Sequence, residues 1–140
     1  MNRPLLAFGA TLLATLALAQ SRTPAPTGAE AYIIAPRNGE KIHGPVTVRF
    51  GLKGMGIAPA GIKFDNTGHH HVIVDTDVSE LKLDAPLPMT DKIRHFGKGQ
   101  TETTLTLPPG KHTLELVFAD YVHMSFDPPL HSKKITITVE

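Results

Sequence analysis

Three histidines stand in a row at His69-His70-His71, and five more, His43, His95, His112, His123 and His131, are spread along a chain that contains no cysteine. Without thiols, cysteine nucleophiles, iron–sulfur clusters and thiolate metal sites are excluded, and imidazole becomes the principal metal-ligating group. The segment HHHVIVD at 69–75 alternates as a strand does, so His69 and His71 share one face and His70 points to the other. A His-x-His pair on a strand presents two nitrogens side by side, and one more imidazole from a neighbouring strand or loop completes a three-nitrogen site for copper or zinc. The expected donors are His69, His71 and His123, with His95 as the fourth. Met55 and Met124 fall near the same end of the domain, and thioether beside imidazole without thiolate suits copper better than zinc. The plainer readings are three histidines as polar surface at a strand start, and methionines filling core gaps. His112, which follows the turn Gly110-Lys111, reads as structural, whereas His43 and His131 read as surface residues of turns.

Other chemistry is thinly represented. There is no G-x-S-x-G elbow, H-E-x-x-H helix or paired-carboxylate motif, so catalysis is the weaker class and no organic cofactor is expected. The one enzymatic reading is redox chemistry at a histidine-bound copper, by architectural analogy with copper/zinc superoxide dismutase. The competing class is an extracytoplasmic protein-interaction or adhesion module with its partner surface at the histidine-rich end. With 14 Lys plus Arg against 13 Asp plus Glu, and Arg3 lost with a leader, the remaining chain is formally neutral. It carries no electrostatic case for nucleic acid or an acidic membrane surface.

The start of the chain has the three parts of a secretory signal peptide over residues 1–19: Asn2-Arg3, an apolar run from Leu5 to Leu18, and Ala17-Leu18-Ala19 as an A-x-A cleavage site. Cleavage before Gln20 places the protein in the periplasm or the medium, with no membrane span afterwards. What remains, about 120 residues, suffices for one domain. Residues 20–31, with Pro24, Pro26 and Gly28, read as a flexible lead-in, and the domain proper as 32–140.

The domain must position the histidines with strands, because no segment after Gln20 has a helical period. Alternating runs at Tyr32–Ile34, Val46–Leu52, His69–Asp75, Thr101–Leu107, His112–Val122 and Leu130–Val139 are separated by Gly/Pro turns, and Thr76–Gly99 holds an edge strand of unclear position. This pattern matches an all-β, immunoglobulin-like antiparallel β-sandwich of about seven strands, with a small β-barrel as the alternative. In such a sandwich the strands at His69–Asp75 and His112–Val122 are antiparallel neighbours, which brings His123 beside His69 and His71.

The phrases NTGHHHVIVD, HFGKGQTETTLTLPPGKHTLELVFAD and HMSFDPPLHSKKITITV contain GHHH, HFGxGQTE, LPPGxHTL and DPPxxS. In these, from about Tyr32 to Val139, the chain resembles DUF4399, a bacterial family of exported domains of unknown function. The resemblance implies export and a β-rich fold; it implies no activity, so function is left to the residues.

Overall fold

Period-two runs rich in Val, Ile, Thr and Phe form strands because branched and aromatic side chains pack well on a pleated, half-buried surface. The computed structural model describes residues 21–140, so the leader and its Ala17-Leu18-Ala19 site lie outside the described residues. Ten strands follow in order: β1 (Glu30–Ala35), β2 (Lys41–Ile42), β3 (Val46–Lys53), β4 (Gly56–Ile57), β5 (Thr67–Val74), β6 (Ile93–Phe96), β7 (Glu102–Leu105), β8 (Gly110–Ala119), β9 (Ser125–His131) and β10 (Ile135–Val139). A three-residue 3-10 helix at Val78–Glu80 is the one helix among the described residues.

The strands form two sheets that do not close, which removes the barrel alternative. The smaller runs β1-β3-β7; the larger runs β2-β10-β8-β5-β4, with β6 added to β5 and β9 to β8. The long pairings are antiparallel, as expected, but two short parallel ones occur, β2 with β10 and β4 with β5. The strand of unclear position is β6, which joins the larger sheet through β5. The expected closing strand from Leu130 to Val139 divides in two: β9 folds back on β8, and β10 pairs with the first half of β8. The break falls at Ser132, whose hydroxyl accepts from Leu116 N–H at 2.8 Å.

Between the sheets lies the main core, in which Val46, Val48 and Phe50 meet Val72, Val74, Leu114, Leu116 and Ile137. Each such side chain contributes roughly 1.5–3 kcal/mol on burial. The larger sheet is also covered on its other face. There the long connection from β5 to β6 packs Val78, Leu81, Leu83 and Leu87 against Ile73, Ile93, Val117 and Ala119. β5 is therefore buried on both faces, and His69, His70 and His71 are all fully buried. At its start Gly68 lets β5 approach β8: a β-carbon there would stand 2.9 Å from the Phe118 ring and 3.1 Å from the Ala119 carbonyl carbon.

Residues expected to form a flexible lead-in make specific contacts. Pro24 bridges Asp127, Ala25 N–H donates to the Asp127 carbonyl at 2.8 Å, and Arg22 pairs with the Asp127 carboxylate at 2.7 Å. The first strand likewise starts earlier than expected, at Glu30.

His112 is structural. Its Nδ1 lies 2.8 Å from Asp75 Oδ2, and its Nε2 lies 2.7 Å from the Pro108 carbonyl. Burial pulls its pKa down, but the hydrogen bonds to Asp75 and Pro108 outweigh that and leave it raised. A raised folded-state pKa gives stability that is complete below the unfolded value and lost as pH rises through the folded one. Asp75→Ala should therefore cost about 1–2 kcal/mol at pH 6 and less at pH 8, as read by urea denaturation at both pH values. Equal losses at the two pH values would show that the pair is not charge-assisted.

Candidate metal centre

The alternation of β5 sorts its histidines. His70 shares the parity of Val72 and Val74 and turns into the sandwich, with its ring centroid 5.1 Å from that of Phe50 and 4.9 Å from that of Phe118. His69 and His71 take the opposite face, with Ile73. Their ring centroids are 4.9 Å apart.

Two further imidazoles arrive from different elements. His95 comes from β6, where it stands in register with His71, and its ring centroid lies 4.9 Å from His69 and 5.1 Å from His71. His123 comes from the turn between β8 and β9, with its ring 5.0 Å from His69, 6.0 Å from His71 and 4.7 Å from His95. The rings of all four expected donors thus converge, but His71 falls outside the group whose nitrogens come closest together. His69, His95 and His123 can offer ligand atoms that all lie within 4.8 Å of one another. The Nε2 atoms of His95 and His123 are 3.0 Å apart. That is a hydrogen-bond distance, and it is also close to the ~3.3 Å that separates two nitrogens each ~2.05 Å from one tetrahedral ion.

The turn that carries His123 is organised by a carboxylate that sequence reasoning passed over. Asp120 is buried; its Oδ1 accepts from Val122 N–H and Met124 N–H, both at 3.0 Å, and its Oδ2 accepts from the Thr23 hydroxyl at 2.8 Å. His123 itself has φ of 67°, the left-handed region that costs most residues energy, so the turn holds it there against its preference. The Asp-x-Val spacing before His123 is the Asx-turn signal that would have revealed this. A second overlooked position is Gly97. A β-carbon there would stand 2.5 Å from His95 Nε2 and 3.0 Å from the Ala60 methyl, so the His95 ring rests on bare backbone.

The electrostatics follow from burial. Desolvation, with repulsion from His123, His95 and His70, lowers the His69 pKa to about 4. Desolvation, with repulsion from His69 and the other histidines, lowers His71 to about 2. Burial alone takes His70 to about 4, and burial with repulsion from His123 lowers His95. The β5 imidazoles are accordingly neutral at pH 7, the form that ligates metal. Among the described residues, neither nitrogen of His69, His70 or His71 has a hydrogen-bond partner. Buried polar groups are nearly always paired, and each orphan costs about 1–3 kcal/mol.

The remaining candidates stand apart. Met55 packs against the apolar cluster of Ala31, Phe118, Phe126 and Leu130, so it fills core, and the copper preference drawn from it falls away. Met124 is fully buried. His131, half-exposed, places Nδ1 3.0 Å from Glu115 Oε1, and His43, mostly exposed, lies 3.4 Å from Glu140.

Comparison with known proteins adds a family and little else. No curated protein matches the chain. An X-ray structure of the endo-beta-1,4-mannanase from Thermotoga petrophila is similar at 21% identity over 80% of this chain, with a TM-score of 0.44. The chain spans 20% of that enzyme's length. The family described as "Domain of unknown function (DUF4399)" matches residues 48–140, which include β5, β6 and the turn carrying His123. Matched over more than half its length, the chain belongs to the DUF4399 family.

Proposed function

We propose that this domain binds one copper or zinc ion through His69, His71, His95 and His123, and that it does so outside the cytoplasm, in the periplasm or the medium. The observation that carries the reading is the convergence of four imidazoles in which the two on β5 are fully buried and have four unpartnered nitrogens. A cation accepting the one lone pair of each neutral ring would remove the cost of leaving that nitrogen orphaned. An all-nitrogen set suits either ion, and Cu(II) is expected to bind more tightly than Zn(II), as it does at nitrogen sites generally. Export rests on the leader pattern at residues 1–19.

Calorimetric titration of the metal-free protein with Cu(II) and Zn(II) at neutral pH should show one equivalent bound at micromolar affinity or tighter. The melting temperature should rise with free metal concentration. N-terminal sequencing of the exported form should begin at Gln20. The absence of metal uptake would favour the interaction-module reading, for which exposed apolar side chains at Ile62, Phe64 and Met89 are the specific observation.

A further inference from the structure

We infer that the quartet holds its ion as exchangeable cargo, with His95 as the ligand that yields to an imidazole-bearing acceptor; this rests on the metal-binding reading above. The two sides of the site are built differently. His69 and His71 are fully buried on a strand hydrogen-bonded along both edges, to β8 on one side and to β4 and β6 on the other. Displacing either would require opening the sheet.

His95 and His123 are partly exposed. His95 belongs to β6, an edge strand that pairs with β5 alone, and it is the penultimate residue of that strand. Its ring rests on the bare backbone of Gly97 beside the Ala60 methyl, and the one hydrogen bond of that ring among the described residues is to His123. Metal-bound histidines are ordinarily locked by a carboxylate or carbonyl on the second ring nitrogen. Among the described residues no carboxylate or carbonyl partners any of the four rings: those of His69 and His71 are held by burial, and those of His95 and His123 bond to each other. An ion here would have two fixed donors on the protein side and two solvent-side donors without a carboxylate or carbonyl anchor among the described residues. An incoming imidazole can then replace His95 while His69 and His71 still hold the ion. Transfer becomes a stepwise exchange of like ligands that needs no unfolding.

Gly97 is the positioning residue in this scheme. Its φ is outside the left-handed region, so alanine is conformationally acceptable, but the added methyl would occupy the seat of the His95 ring and push that ring aside. The experiment is to load the protein with one equivalent of Cu(II), mix it with excess free L-histidine in a stopped-flow instrument, and follow the visible absorption. The transfer rate should rise with histidine concentration. Gly97→Ala should weaken equilibrium affinity ~10–100-fold and speed transfer by about tenfold, the scale of outer-shell effects on metal ligands. It should add nothing when combined with His95→Ala. Its metal-free melting curve should match the parent's. A release rate independent of histidine concentration in the parent protein would overturn the inference whether or not the variant folds. Gly97→Ala transferring at the parental rate would also overturn it. Equilibrium titration run alongside separates the two readings: no copper uptake by the parent defeats both, whereas tight uptake with acceptor-independent release defeats this one alone.

Discussion

Replacing His71 by alanine should lower affinity for Cu(II) and Zn(II) by about a hundredfold or more, while replacing its neighbour His70 by leucine should leave affinity within about threefold of the parent. The contrast follows from the pleat of β5. His71 faces the rings of His69, His95 and His123, and His70 faces Phe50 and Phe118 on the opposite side of the sheet. His69→Ala and His123→Ala should behave as His71→Ala does. The same His70→Leu change should stabilise the metal-free domain by about 1–3 kcal/mol, because it removes two buried nitrogens without partners and substitutes an apolar side chain. Calorimetric titration and urea denaturation of this set of variants read both effects. If affinity survives removal of His71 or His123 to within about threefold, the cross-strand site does not exist.

Metal-free protein should unfold on mild acidification, between about pH 5 and pH 4. His69 and His70 are lowered to about 4 and His71 to about 2, chiefly by desolvation, against 6.5 for an unconstrained histidine. Lowered folded-state values mean that the unfolded chain binds more protons once pH falls below 6.5. The stability of the neutral buried form is thus fully present above that value and lost as pH drops towards 4. At pH 5 the loss is on the order of 2 kcal/mol for each of the three, a large part of the ~5–15 kcal/mol that holds a domain together. His112 works in the opposite direction, gaining stability on protonation, but it is one residue against three. Bound metal should move the acid transition to lower pH, since an ion that occupies the lone pairs competes with protons. Proton competition at His69 in the folded state sets in near 4, well below the 6.5 of free histidine. Circular dichroism against pH, with and without one equivalent of Zn(II), is the measurement. A metal-free domain that keeps its native spectrum at pH 3 would show that His69 to His71 are not buried as described.

Period-two runs at Val46–Leu52 and His112–Val122 were legible as strands because a strand with one buried face must alternate, whatever packs against it. β5 was legible as a strand from His69 to Asp75, but its burial on both faces was not, since three histidines at a strand start read also as polar surface. The division of the last strand into β9 and β10 has no local signal beyond Ser132, and it depends on two partners claiming different halves of β8. The partnership of His69, His71, His95 and His123 was readable from chain order because antiparallel neighbours put the end of one strand beside the start of the next. Chain order therefore placed His69, His70, His71, His95, His123 and His131 at one end, and strand period showed that His70 faces away from His69 and His71. Only the tertiary structure decided that His69 and His71 are buried, that their nitrogens lack partners among the described residues, and that Asp120 orders the turn of His123 while Gly97 seats the ring of His95. Desolvation, side-chain hydrogen bonds and close backbone approach arise between segments distant in sequence, and they exist only once the sheets have packed.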